Sequence, residues 1–432
     1  MDLTTQNITT SLADLFREQI EKDPLNGLRQ KALEDFISAG LPEKKTEAYK
    51  FTPVKRIIEK NIDFSNINID TAGRSKEDCQ KEFYQDEGNH LVFLNGVFNE
   101  EYSTIISPSS DLEIKSINQK TFEGSRELSE KLGQIAFKND PFALLNLAGF
   151  TQGLLLETKK NTHNLPVYIY HFHGTSFQGI MSPRVYVKAA EGSSLRVYEK
   201  TFRTGTEKHF INSIIEARIE KNAELRWTKL QNYTDNDYVI DGFYGTQDRD
   251  SRAYTNTFSF KGALVRNNLN ISQEGENCET HMHGLYQLGH HSHVDNNTGV
   301  DHKMPNSYSN ELYKGIVDEN AHAVFNGKIY VRPLAQKTNA FQSNENILLS
   351  EQATVNSKPQ LEIWADDVKC SHGCTTGQLD EEAIFYLRSR GISKTKAKAL
   401  MLNAFASEAL SEIQNDLIKK EIDSLILSRL GS

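Results

Sequence analysis

Two cysteines and a histidine fall within five consecutive positions, Cys370-Ser371-His372-Gly373-Cys374, in a 432-residue chain that holds only 4 cysteines. Thiolate sulphur and imidazole nitrogen are groups that iron and iron–sulphur centres accept as ligands. Three such groups do not close a four-ligand site, so a centre bound here would borrow ligands from a second chain or be held transiently. The competing reading is structural: a buried cysteine beside a histidine that caps a turn. Nucleophilic chemistry, with Cys370 attacking and His372 as base, is a third option. Positions i and i+2 of a strand point the same way, but no acid is identifiable to orient the base.

A second group of candidates is the stretch HMHGLYQLGHHSHVDNNTGVDH, with His281, His283, His290, His291, His293 and His302. On strands, His281 with His283 and His291 with His293 would each present two imidazoles to one side, and His171 and His173 share that spacing. No Cys₂His₂ or HExxH spacing accompanies them. They are open to two readings, a metal site or histidines hydrogen-bonded along a ladder or an interface. Asp295 and Asp301 could pair as acid and base in a solenoid enzyme acting on sugars. A metal-binding β-solenoid hydrolase or lyase using residues 281–302 is therefore the alternative function. Phosphate-loop, dinucleotide and nucleophile-elbow motifs are absent from the sequence.

The elements that must position these residues change character twice along the chain. Residues 1–156 read as mainly helical with one hairpin. Leu12, Leu15, Phe16 and Ile20 have helical spacing, closed by Asp23-Pro24, and a second helix spans Leu28 to Ser38. LVFLNGVFNEEYS is a hairpin turning at Asn95-Gly96, and Asp140-Pro141 opens a short apolar helix. Residues 157–376 carry short alternating runs separated by Gly, Asn, Asp and Lys. EGSSLRVY from Glu191 and KNAELRWT from Lys221 are similar units about thirty positions apart, and such a period points to stacked coils. A β-solenoid is expected, with one helix-like interruption near Ser309 to Tyr313. Residues 377–432 read as helical: Gly391 stops one helix, Ser393 caps the next, and a long apolar stripe has to bury itself on the core or on a partner.

Composition narrows the function classes. Charged residues make up 25% of the chain and the net charge is -9, with only short basic clusters at Lys44-Lys45 and Lys394 to Lys398, which argues against nucleic acid as a partner. The N-terminus has no basic start and no apolar core of a secretory signal, and no window approaches 18 apolar residues, so neither export nor a membrane span is expected. Sparse cysteines fit a reducing cytoplasm, where thiols stay free as ligands.

The stretch from Ser371 to Ile392, SHG then TxGQLDEEAIFYLRSRGI, resembles the C-terminal signature of the SufB/SufD family of iron–sulphur cluster assembly proteins, on its SufD side. HVDNNTGVDHKMPNSYSNELYKGI from His293, LPEKKTEAYKFTPV from Leu41 and the hairpin LVFLNGVFNEEYS are similar to further segments of that family, in order, over nearly the whole chain. SufB-like chains usually carry more N-terminal cysteines, whereas this one has only Cys79 in its first half. The resemblance implies a mainly β protein with flanking helices, whose core is a right-handed parallel β-helix. It implies a non-catalytic scaffold that pairs with the paralogue SufB through the β-helix ends and binds one copy of the ATPase SufC through its C-terminal helices. ATP-driven movement would reshape the interface where a transient iron–sulphur cluster forms, and the isolated chain would self-associate to a homodimer. Carried over residue by residue, the ligand positions are His372 and Cys370, with Cys374 a spare ligand or a small buried thiol where relatives commonly have alanine. The expected ATPase-docking surface includes Phe385, Tyr386, Arg388 and Arg390, whose apolar stripe and flanking charge suit a helix laid in a groove.

Overall fold

Seven corners stack on one another along the chain. Asn161, Gly192, Asn222, Asp250, Asn277, Asn306 and Lys337 all have left-handed backbone angles. Each donates its N–H to a carbonyl of the following coil: Asn161 to Glu191 at 2.9 Å, Asn222 to Arg249 at 3.0 Å, Asn306 to Gln336 at 2.9 Å, Lys337 to Asp367 at 2.6 Å. Glycine, asparagine and aspartate tolerate that conformation best, so most of these corners are specified locally. Between corners the chain is extended, and the coils stack into a parallel β-solenoid. The structure is a computed structural model and describes residues 8–20, 25–64, 74–136, 140–174 and 179–430.

The solenoid has two ten-stranded sheets. From Val167 onward the strands within each sheet pair in parallel with the coil before and the coil after, and the register follows the repeat: Ser194 lies beside Glu224, and His322 beside Thr354. Period-two alternation sends one set of side chains inward. Val197, Trp227, Val265, Met282, Tyr286, Tyr313 and Phe325 belong to the buried lumen, where each fully buried large side chain contributes roughly 1.5–3 kcal/mol. Gly284 lies beside Tyr313 and Gly315 beside Tyr286, so each ring occupies the space over a neighbouring glycine.

Both outer faces are covered. The helices Ile8–Ile20, Asn26–Ala39 and Pro141–Gly149 bury Leu12, Phe16, Leu33, Phe36 and Phe142 against Tyr186, Phe210, Ile240 and Leu264 of the second sheet. The helix after Asp140 begins at its N1 proline, with the Asp140 side chain accepting from Phe142 N–H. At the C-terminus, the helices Lys394–Ser407 and Asp416–Leu430 and the short turn Glu408–Leu410 between them place Leu402, Leu410, Ile418, Ile422 and Ile426 on Leu230, Phe258, Leu285 and Ile316 of the first sheet. The apolar stripe of the tail thus folds back on the chain's own core.

Most sequence expectations agree with this arrangement. The hairpin turns at Asn95-Gly96, both with positive φ, as a two-residue turn of that hand requires. Ser393 caps its helix through Lys396 N–H, and Gly391 at φ 86 follows the helix Glu381–Ser389. The expected stop at Asp23-Pro24 lies outside the described residues. One expectation is corrected: Ser309 to Tyr313 is not helix-like but lies inside the strand Tyr308–Val317. Register with a strand on either side overrides the local spacing there. The sheets also take strands from Asn89–Leu94 and Leu112–Ile117, well before residue 157.

The ends of the solenoid differ. At the N-terminal end, Val97–Thr104 and Leu112–Ile117 add antiparallel strands, and helices lie over them. At the C-terminal end, Thr354–Ile363 and Lys369–Gly377 are the last strands of the two sheets, each paired on one side only among the described residues.

Candidate functional site at the open end of the solenoid

The last strand of the first sheet carries the cysteine–histidine set. Its register assigns the direction of each side chain: Cys370 pairs with Ala340, His372 with Gln342 and Cys374 with Asn344. Ala340, Gln342 and Asn344 are all buried, at 0%, 3% and 0% exposure. Cys370, His372 and Cys374 are therefore the inward-facing column of the final coil, one rung above a closed interior. Among the described residues no further coil covers them, and the lumen opens here to solvent. His372 and Cys374 are exposed and Cys370 is half-buried against Ala340 and Val368.

This placement answers the structural reading of the motif. His372 stands in mid-strand and caps no turn, and Cys374 is exposed rather than a small buried thiol. All four cysteines are free thiols. Burial pushes the Cys370 thiol up, with a smaller opposing effect from a backbone hydrogen bond to Ala340. A ligand metal or a partner's positive charge would be needed to turn it into thiolate.

Beneath the column is a polar interior. Glu311 accepts from Thr298 Oγ1 at 2.7 Å and from Gln342 Nε2 at 3.0 Å. Burial raises its carboxyl to about 7, and those two hydrogen bonds offset this only in part. Asn344 donates to Tyr286 Oη at 2.9 Å and to Tyr313 O at 3.1 Å. The Glu311–Gln342 pair was not legible in the sequence, because its members are 31 residues apart and meet only by stacking of coils.

Around the mouth, large apolar groups face solvent: Phe341 at 37% exposure, Ile363 at 40% and Trp364 at 49%. With two unpaired sheet edges they form a surface ready to add strands from another chain. Beyond the last strand comes the helix Glu381–Ser389, capped by Asp380 and anchored by Ile384 alone. Phe385 is 72% exposed and Tyr386 58%. Arg388 and Arg390 are exposed beside them, and the Arg390 guanidinium lies over the Tyr386 ring at 5.3 Å.

The histidine-rich stretch disperses over several surroundings. His291 sits in an exposed turn before the strand His293–His302, so it does not share that strand's face with His293. His293 packs on His322 with ring centroids 4.5 Å apart and meets Thr52 Oγ1 at 3.0 Å; burial holds it neutral, with a pKa lowered to about 3. His302 faces inward and meets Ser309 Oγ at 2.9 Å. His171 lies in the lumen 2.9 Å from Glu199, and burial keeps His173 neutral. His281 and His283 do share a face, directed at the C-terminal tail, where Glu412 approaches them. Glu412, remote in sequence, carried no signal.

The acid–base pair expected of a sugar-cleaving solenoid is not formed. Asp295 is ion-paired with Arg266, and Asp301 is held by Arg332 at 2.7 and 3.0 Å. Six residues along one strand separate them by roughly 20 Å, too far for two carboxyls to flank one bond. The segment around Tyr49 packs on that outer face: Tyr49 is buried under the Arg266 guanidinium at 4.0 Å, and Arg266 donates to Ala48 O at 2.9 Å. No helix among the described residues is long and apolar enough to cross a membrane.

Comparison with known proteins agrees with this architecture. The family described as SUF system FeS cluster assembly, SufBD core domain, matches residues 172–405, and the SufBD protein N-terminal region matches residues 6–163. An iron–sulphur cluster assembly SufBD family protein of Synechocystis sp. is 32% identical over 400 residues, covering 89% of this chain and 86% of that protein. The iron–sulphur cluster assembly protein SufD of Escherichia coli is 29% identical over 421 residues, covering 93% of this chain and 91% of that protein. A SufBD family protein of Mycobacterium leprae is 29% identical over 220 residues, covering 49% of this chain and 56% of that protein.

Proposed function

The chain belongs to the SufBD family of iron–sulphur cluster assembly proteins, and from that premise we propose that it is a non-catalytic scaffold subunit whose open end is completed by a SufB-type paralogue. The cluster is cargo, held transiently at the junction of the two subunits. His372 and Cys370 supply ligands from this side, Cys374 stands by as a spare, and the partner contributes the remaining thiolate. One observation carries this reading: the inward column of the last coil has His372 and Cys374 exposed and Cys370 half-buried, on a strand that is paired on one side only among the described residues. A half-covered ligand set needs a second polypeptide to exclude water and complete coordination. The exposed Phe385, Tyr386, Arg388 and Arg390 serve as the docking surface for a SufC-type ATPase in the cytoplasm. The chain alone self-pairs through the same edges as a homodimer.

The decisive experiment purifies the complex with the paralogue and the ATPase, carrying wild-type chain or His372→Ala. Iron and acid-labile sulphide per complex are expected to fall at least about tenfold in the variant, while subunit stoichiometry is unchanged. Normal cluster yield in the variant would refute the ligand role. A complex that forms as well with Ser371→Lys, a charge placed on the open edge, would refute docking at that end.

A further inference from the structure

We propose that His281, His283 and Glu412 form a site for a first-row divalent cation of the Zn²⁺ or Fe²⁺ type, which fastens the C-terminal helices to the outer face of the first sheet. The site is separate from the open end and stands independently of the scaffold reading.

His281 and His283 occupy alternate positions of the strand Glu279–Leu288, on the face where Leu285 meets the tail. Glu412 belongs to the connection between the helices Lys394–Ser407 and Asp416–Leu430. One ligand atom from each residue lies within 4.8 Å of the others. A tetrahedral ion with bonds of about 2.0–2.1 Å needs ligand atoms roughly 3.4 Å apart. Closing to that spacing takes rotation of the two imidazoles as well as of the half-buried Glu412 side chain.

The surrounding hydrogen bonds are those of a metal site. His281 Nε2 lies 2.7 Å from Glu279 Oε1. Donation of the ring proton to that carboxylate leaves the Nδ1 lone pair without a hydrogen-bond partner, 4.0 Å from Glu412 Oε1. His283 is 3% exposed, and its Nδ1 is buried with no hydrogen-bond partner. Its other nitrogen lies 3.4 Å from the Asn310 side-chain amide. With the amide oxygen turned to that nitrogen, Asn310 accepts the ring proton and Nδ1 becomes a ligand. Arg226 Nη1 lies 3.5 Å from Glu412 Oε2, the carboxylate oxygen other than the one nearest His281. Two imidazoles and one carboxylate suit zinc or ferrous iron, with one or more positions left to water. Without an ion, two buried ring nitrogens remain unsatisfied, an arrangement that costs stability. A bound ion removes that cost and joins the strand to the tail.

The test uses the full chain carrying Cys370→Ala, His372→Ala and Cys374→Ala, so that the open end cannot bind metal. Zn²⁺ is titrated calorimetrically, and Fe²⁺ anaerobically against a chromophoric chelator. One equivalent of at least one ion is expected. His283→Ala and Glu412→Gln, each added to that background, are expected to weaken it by about 100-fold or more. Metal is also expected to slow amide exchange in residues 408–430 of the background chain, and in neither added variant. Absence of a tight equivalent of both ions in the background chain overturns the proposal, as does unchanged affinity in Glu412→Gln. That half-exposed substitution leaves the core intact, so misfolding of His283→Ala would not protect the proposal.

Discussion

Gln342 lies directly beneath His372 in the ladder of the first sheet, yet the two meet opposite environments: Gln342 is 3% exposed and His372 is exposed. The same inward position is interior in one coil and surface in the next. Only the end of the stack lies between them.

The pair predicts a divergence between stability and function. His372→Ala removes an exposed side chain and is expected to change unfolding free energy by less than about 0.5 kcal/mol. Gln342→Ala takes from Glu311 one of its two buried donors, leaving only Thr298 Oγ1, and is expected to cost about 1–3 kcal/mol. Urea titration of both variants, beside cluster yield in the assembled complex, checks this. A large loss of stability in His372→Ala would return the residue to a structural role.

Glu311 predicts a dependence on pH. Its carboxyl ionises near 7 in the fold, because burial disfavours the charge, and near 4.3 when unfolded. The folded state therefore binds the proton more tightly, and this contribution is complete below about pH 4. It is lost as pH rises from there to about 7. Glu311→Gln, which keeps an acceptor for Thr298 and Gln342, is expected to gain stability over wild type as pH rises through that window, by up to about 3 kcal/mol at pH 8. Denaturant midpoints at pH 4.5 and 8 measure it; an equal difference at both would contradict the assignment.

In the lumen, a methyl group at Gly315 would come within 2.2 Å of the Tyr286 ring, and one at Gly284 within 2.3 Å of the Tyr313 ring. Gly315→Ala and Gly284→Ala are expected to destabilise by about 1–3 kcal/mol each through overpacking. Gly373→Ala, whose methyl would meet nothing within 4 Å, serves as the control. Thermal unfolding of the three variants separates them.

At the helix Glu381–Ser389, reversing charge at Arg388 and Arg390, or changing Phe385 to Ser, is expected to weaken capture of the ATPase at least about tenfold and to leave pairing at the open end intact. Binding isotherms with the purified ATPase provide the measurement. Unaltered affinity would place that interface elsewhere. Stability is expected to hold, since Ile384 is the buried anchor of this helix.

What the sequence determined by itself were features set by neighbours along the chain. The Asn95-Gly96 hairpin, the Asp140 and Ser393 caps, the Gly391 stop and the alternation of the strands all depend on local backbone chemistry and side-chain period. The resemblance of Ser371 to Ile392 to a known family added the reading of the motif. The tertiary structure decided what depends on stacking. It turned Ser309 to Tyr313 into strand, parted His291 from His293, and brought Glu412 to His281 and His283. It also opened Cys370, His372 and Cys374 to solvent. Each outcome rests on which coil lies beside which and where the stack stops, and a solenoid sets both through contacts about thirty residues or more apart, beyond the reach of any local pattern.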